Sequence, residues 1–217
     1  MTPKIKIIIS DDHPVSLHGL LRILEVAPEV AIIGEARDGA EAWQLLQTKQ
    51  PDVALLDMRL PILDGLELAR RIQRLEKPMP FIFLTMWKEE AIFNEAISLG
   101  CSGYLLKESA AEEILAAIRA AAAGRRYLSP AVSEFVLQRS HREQAVRAAH
   151  PGLAELSAAE QRVLKLVAEN KTTKEIADQL QLSPRTVDHQ RASISTKLGL
   201  QGSHSLLSFA FEHRWEL

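Results

Sequence analysis

Five short apolar runs, each followed by a stretch with helical spacing, occupy the first 124 residues and restrict the architecture more than any other feature of the chain. The runs are residues 5–9, 30–34, 53–56, 81–84 and 103–106. They are apolar almost throughout, without the alternation of a half-exposed strand, as expected when both faces of a sheet are covered. Between and after them, apolar residues recur at three- and four-residue intervals around Leu17, Leu20, Leu21 and Leu24, then within 40–46, 66–72, 90–97 and 110–123. Five such units predict an α/β domain built on a doubly wound, five-stranded parallel sheet.

Gly124 closes the last of these helices, and the composition then changes. Residues 125–152 are polar and basic, with Pro130 and Pro151 near the ends and a helical stretch expected over 131–149. They read as a linker between a domain at 1–124 and a second at 153–217. Beyond residue 153 there is no strand signal. Ser157 and Glu160 have capping-box spacing, in which each side chain satisfies the other's backbone N–H. Further helices are expected over 173–180, 184–198 and 203–214, giving a small all-α, four-helix domain.

The chain carries a net charge of −2, but unevenly. Residues 1–124 hold 13 basic against 18 acidic side chains, residues 125–150 hold 5 against 2, and residues 151–217 hold 8 against 8. A polyanion would therefore have to engage the rear half through a local patch. Cys101 is the single cysteine, which excludes an internal disulfide and a thiolate-built metal site. No apolar stretch approaches the ~20 residues of a membrane span, and the opening apolar run meets Asp11 and Asp12 too soon for a signal-peptide core. A cytoplasmic protein without a membrane contact is expected.

Function is written at the strand ends. Asp11 and Asp12 follow the first strand, Asp57 the third, Thr85 the fourth and Lys107 the fifth. Carboxyl ends of parallel strands share one edge, and with the order 2-1-3-4-5 strands one and three are neighbours there. Asp11, Asp12 and Asp57 would converge. Singly, each acid also suits a helix N-cap, and Thr85 or Lys107 alone would be unremarkable. Together the carboxylates repel unless a cation intervenes, and an oxygen-only set points to a hard ion such as Mg²⁺. Asp57 would then serve as nucleophile toward a phosphoryl group, with Lys107 and the Thr85 hydroxyl contacting its oxygens.

In the rear domain, residues 173–180, the turn Gln181-Leu182-Ser183 and residues 184–198 form a helix-turn-helix pattern, with Ser183 as N-cap and Pro184 in the first turn. Val187, Ile194 and Leu198 share a buried stripe. Arg185, Thr186, Asp188, His189, Ala192 and Thr196 would face a major groove, with Lys174, Arg191 and Lys197 placed for phosphates. Such a pattern also occurs in purely structural helical domains, and the zero net charge is low for a DNA binder.

The segments IIISDDHP, LLDMRLPILDGLEL, FIFLTMW and GYLLK, in this order over residues 4–124, resemble those of response-regulator receiver domains, which have a flavodoxin-like fold. LSAAEQRVLKLVAENKTTKEIADQLQLSPRTVDHQRASISTKLGL resembles the LuxR-type effector domain, so the whole chain is similar to NarL/FixJ-family response regulators. The resemblance implies that Asp57 is the phosphoacceptor, that Asp11, Asp12, Asp57 and the backbone carbonyl of Arg59 bind Mg²⁺, and that Thr85, Lys107 and Tyr104 form the switch. It implies a sensor histidine kinase as donor, double-stranded DNA as target, and a homodimer of the phosphorylated form. Two departures stand out. Glu108 follows Lys107 where many receivers carry a cis-linked proline, so a trans bond is expected. Gln190 stands where many effector domains carry His, and Asp188 favours a cytosine amino group over an acceptor on the base.

Several alternatives remain open on the sequence alone. Arg59 and Trp87 would flank an acyl phosphate and hinder attacking water, or Trp87 would pack on the fourth helix. Leu206, Leu207 and Ala210 would form a dimer face or close the four-helix core. His13 reads as a turn cap rather than a ligand, and Cys101 as a small buried group. Aspartyl-phosphate phosphatases of the haloacid-dehalogenase type carry a second acid two residues after the nucleophile, where Arg59 stands here, so an enzyme is not expected. A receiver-controlled adaptor that binds protein instead of DNA is the remaining alternative.

Overall fold

The computed structural model describes residues 3–202 and 204–216. The chain divides into two units, Met1–Phe135 and Val136–Leu217. In the first, β1 (Ile5–Ser10), α1 (Pro14–Glu25), β2 (Val30–Ala36), α2 (Gly39–Lys49), β3 (Val53–Asp57), α3 (Gly65–Gln73), β4 (Phe81–Thr85), α4 (Glu90–Ser98), β5 (Gly103–Leu106) and α5 (Ala110–Ala122) alternate, followed by β6 (Tyr127–Leu128). All neighbouring strands are parallel, in the order β2-β1-β3-β4-β5-β6.

The apolar runs fill both faces. Ile8, Leu56, Phe81 and Phe83 meet α2, α3 and α4 on one side of the sheet. Ile7, Ile9, Leu55, Ile82 and Leu84 meet α1 and α5 on the other. Every residue of β3, β4 and β5 is buried, which is why their sequences lack alternation.

The expected five strands become six. Tyr127 donates its backbone N–H to the Ser102 carbonyl (2.9 Å), and Ser129 donates to Tyr104 (3.0 Å). Two residues between polar neighbours carry no periodicity, so pairing with an existing edge, and not local sequence, makes β6 a strand. A 3₁₀ turn over Pro130–Val132 follows, with Val132 fully buried, and α6 (Ser133–Ala149) starts two residues later than the 131–149 helix expected.

The loop between β3 and α3 is held by close backbone approach. A Cβ on Gly65 would lie 2.2 Å from the Asp57 carbonyl oxygen, and one on Gly39 would lie 1.7 Å from that of Leu63. Only glycine fits at either position. The Gly65 N–H donates to the Met58 carbonyl (3.0 Å), which fixes the chain immediately after the acidic strand end.

In the second unit, a 3₁₀ turn (Pro151–Glu155) leads into α7 (Ala158–Ala168), α8 (Thr173–Leu180), α9 (Pro184–Lys197) and α10 (Ser205–Glu212). The Ser157–Glu160 capping box forms as its spacing implies, and a second one joins Thr172 to Glu175. The last helix was expected from residue 203, which lies outside the described residues. Leu206 and Ala210 are buried with Val163, Ile176, Val187 and Ile194, and Leu207 packs against the same core. Of the two roles open to that face, core closure is the one realised. Among the described residues, no helix is long and apolar enough to cross a membrane.

Candidate functional site

The strand ends deliver their polar groups to one place. Asp11 and Thr85 are wholly buried and Asp57 is 3 % exposed. Lys107, from the end of β5, reaches across the sheet edge: its Nζ lies 2.6 Å from Asp57 Oδ2 and 2.8 Å from Asp11 Oδ2. One ammonium therefore bridges two buried carboxylates. The remaining lone pairs are partly filled locally. Asp11 accepts from the His13 N–H (2.9 Å) and the Ser16 hydroxyl (2.7 Å), and Asp57 Oδ1 accepts from the Arg59 N–H (3.2 Å). Burial nevertheless wins at Asp57, whose carboxyl is pushed above the usual carboxylate range by desolvation despite the Lys107 hydrogen bond.

Asp11, Asp12, His13 and Asp57 each offer a ligand atom, all within 4.8 Å of one another. Asp12 Oδ1 is buried and receives no hydrogen bond, although His13 Nδ1 lies 2.6 Å away. An orphaned carboxylate oxygen beside two further carboxylates fits a hard divalent cation such as Mg²⁺, which takes oxygen ligands and retains waters. His13 corrects the sequence reading: it occupies the N-cap position of α1 but makes no side-chain cap. Its ring turns toward Asp12, a placement that proximity to two acids could have suggested.

Thr85 and Tyr104 join the site through the backbone. The Lys107 N–H donates to the Thr85 carbonyl (2.8 Å), and the Thr85 hydroxyl accepts from the Trp87 N–H (3.0 Å). The Tyr104 hydroxyl donates to the Trp87 carbonyl (3.3 Å) from a fully buried ring, and burial raises its phenol well above the ordinary value. Lys107 and Glu108 are joined by a trans bond, as expected. The Arg59 guanidinium stacks over the Trp87 ring at 4.3 Å. Trp87 thus packs on Arg59 and stays 42 % exposed; their common position beside Asp57 was expected, their direct stacking was not.

In the second unit, Lys174, Arg185, Thr186, Asp188, His189 and Ala192 are exposed, while Arg191 is half-buried. Ser183 caps α9 by accepting from the Thr186 N–H (3.1 Å). The Thr173 hydroxyl donates to Asp188 (3.0 Å) and accepts from Arg191 (3.4 Å), which ties the start of α8 to α9. Lys197 departs from expectation. Its ammonium contacts Glu160 Oε2 (2.7 Å) and the Glu155 carbonyl (3.1 Å), so it braces α9 against α7 and does not stand free for a phosphate. Ser193 also donates to Glu160 (2.6 Å). Lys197 first, then Ser193 and the Ser157 N–H, hold the Glu160 carboxyl down from 4.5 to about 2. Its second role was hidden because the capping box already accounted for it.

Comparison with known proteins agrees with this division. The model of the response regulator receiver domain matches residues 7–119, and that of the luxR family of bacterial regulatory proteins matches residues 154–210. The chain is 32 % identical over 211 residues to the probable transcriptional regulatory protein NarL of Mycobacterium tuberculosis strain H37Rv, covering 97 % of this chain and 95 % of that one. It is 32 % identical to the response regulator UvrY of Escherichia coli K12, covering 96 % and 94 %. The solved complex of the two-component response regulator RcsB with DNA is 29 % identical, with a TM-score of 0.58 and coverage of 95 % and 97 %.

Two outcomes follow from the electrostatics. Because folding raises the Asp57 pKa, the ionised carboxylate costs stability above that value, and the cost is relieved as pH falls. Asp57→Asn should therefore raise the melting temperature in metal-free buffer at neutral pH, and calorimetry showing a lower one contradicts the desolvation argument. Glu160 has the opposite sign: its contribution is present above about 4.5 and lost as pH falls toward about 2. Glu160→Gln should cost about 1.5 kcal/mol at neutral pH and flatten that acid limb in denaturant titrations, whereas an unchanged limb removes Glu160 as its source.

Proposed function

The chain belongs to the two-component response regulators that join a receiver domain to a LuxR-family DNA-binding domain, and on that premise we propose that phosphorylation of Asp57 controls its binding to DNA. The receiver role is assigned to residues 1–124, the DNA-binding role to 153–217, and the connection to 125–152. The observation that carries this reading is the buried Asp57 carboxylate, 2.6 Å from Lys107 and grouped with Asp11 and Asp12.

In the proposed transfer, an Asp57 carboxylate oxygen attacks the phosphorus of a phosphohistidine on a sensor kinase. The P–N bond breaks as the P–O bond forms, and the imidazole takes up a proton as it leaves. Lys107, already beside Asp57, would then pair with a phosphoryl oxygen, and the Thr85 hydroxyl would turn from accepting the Trp87 N–H to donate its O–H to another. Mg²⁺ held by Asp11, Asp12, Asp57 and the Arg59 carbonyl would offset the charge gathering on the phosphoryl oxygens. Arg59 occupies the position where phosphatases of the Asp-x-Asp type carry their general acid, which supports self-modification over turnover. Exposed Val15, in the first turn of α1, with Ile62 and Met86 on the loops after β3 and β4, suits a protein donor.

For DNA, the exposed α9 face (Arg185, Thr186, Asp188, His189, Ala192) supplies base contacts, and Lys174 with Arg191 supplies phosphate contacts. Lys197 is left out because Glu160 holds it. A domain of balanced charge binds weakly as a monomer, and a phosphorylation-driven homodimer doubles its phosphate contacts. Kinase and DNA place this activity in the cytoplasm.

Beryllofluoride or acetyl phosphate with Mg²⁺ should promote dimerisation and raise DNA affinity in the wild type but not in Asp57→Asn, with affinity falling steeply as salt increases. An equal response of the two proteins sinks the reading, and binding to a protein with no salt-dependent DNA binding favours the adaptor alternative. The Arg59–Trp87 stack should slow water attack on the acyl phosphate, so Trp87→Ala should dephosphorylate severalfold faster. An unchanged decay rate removes that role.

A further inference from the structure

A chain of contacts leads from the acceptor pocket to the start of α6. The Thr85 hydroxyl accepts from the Trp87 N–H, and the Trp87 carbonyl accepts from the Tyr104 hydroxyl. The buried Tyr104 ring meets Phe93 of α4 edge-on, with centroids 5.3 Å apart at 81°. Phe93 is 1 % exposed and packs in turn on Phe135, at 5.7 Å and 45°. Phe135 is in the first turn of α6 and is the last residue of the first unit.

α6 has little apolar burial of its own. None of its 17 residues is buried, and Val136 and Leu137, which follow Phe135, are 36 % and 62 % exposed. Phe135 is half-buried against the Phe93, Tyr104 and Val132 cluster. The aromatic ring is therefore the apolar anchor of the helix that continues into the second unit. Packed aromatic groups rearrange between discrete arrangements and do not deform smoothly. Should the Thr85 hydroxyl swing away from the Trp87 N–H to donate to a phosphoryl oxygen, the Trp87 carbonyl and the Tyr104 hydroxyl bonded to it are displaced, and Phe93 is the side chain the Tyr104 ring leans on.

We infer that Phe135 is the positioning residue through which the state of the acceptor pocket reaches α6, by way of Tyr104 and Phe93. This rests on the proposed phosphorylation switch. It adds a point of exit for the signal at one residue, and predicts that this residue matters for coupling while touching neither phosphate nor DNA.

Coupling between two ligands is reciprocal, so beryllofluoride should tighten DNA binding by the same factor as DNA tightens beryllofluoride binding. Both affinities are measured on the full chain with Mg²⁺, by fluorescence anisotropy for DNA and calorimetry for beryllofluoride. In Phe135→Ala the beryllofluoride affinity without DNA should match the wild type, while both coupling factors fall toward one. Phe135→Leu, which keeps an apolar anchor, should restore part of the coupling and guards against a folding defect in the alanine variant. Wild-type coupling factors in a folded Phe135→Ala protein overturn the inference. Absence of coupling in the wild type itself overturns the underlying switch, and the inference with it.

Discussion

Lys107 placed between Asp11 and Asp57 is the contact on which the acidic site of the first unit depends. Two carboxylates at the ends of adjacent strands, both out of water, would repel each other strongly at short range in a poorly screened setting. A single ammonium, delivered from the end of β5 and itself 6 % exposed, makes their burial tolerable. The same arrangement suits the phosphoacceptor role proposed for Asp57. Desolvation raises Asp57 above the ordinary carboxylate range, so the carboxylate is less well solvated than in water and already faces a cation suited to an incoming phosphoryl oxygen. The sheet supplies the distances: Asp57 and Lys107 come from strands separated by β4, whose terminal Thr85 receives the Lys107 N–H.

The sequence was most informative where chemistry and periodicity reinforced each other. Strands buried on both faces are apolar up to their carboxyl ends, and Asp11, Asp12, Asp57 and Lys107 could be placed together because parallel strand ends share an edge. Both capping boxes depend on three-residue spacings, and Val187, Ile194 and Leu198 occupy the buried stripe their spacing implies. Features set by distant partners were not legible. β6 exists because the β5 edge is available to Tyr127. Lys197 looked like a phosphate contact because nothing local shows that Glu160, thirty-seven residues earlier, claims it. The Phe93–Phe135 contact likewise joins residues far apart in sequence.

The second unit shows how one acidic side chain can serve helix initiation and helix placement together. Glu160 caps α7 through the Ser157 N–H while accepting from Ser193 and Lys197 of α9. The helix that carries the exposed Arg185–Ala192 face is thereby fixed against α7 by charge, and against α8 through Thr173. A reading surface with little net charge gains from such bracing, since fixed side chains lose less entropy on binding.

The account stands on Asp57 as the sole acceptor, and locating the phosphoryl group tests it most directly. The wild-type protein is phosphorylated with acetyl phosphate and Mg²⁺, the acyl phosphate is reduced with borohydride, and the modified peptide is sequenced by mass spectrometry. The modification is predicted at Asp57, with none in Asp57→Asn. Modification at another residue, or equal labelling of the two proteins, would contradict the account.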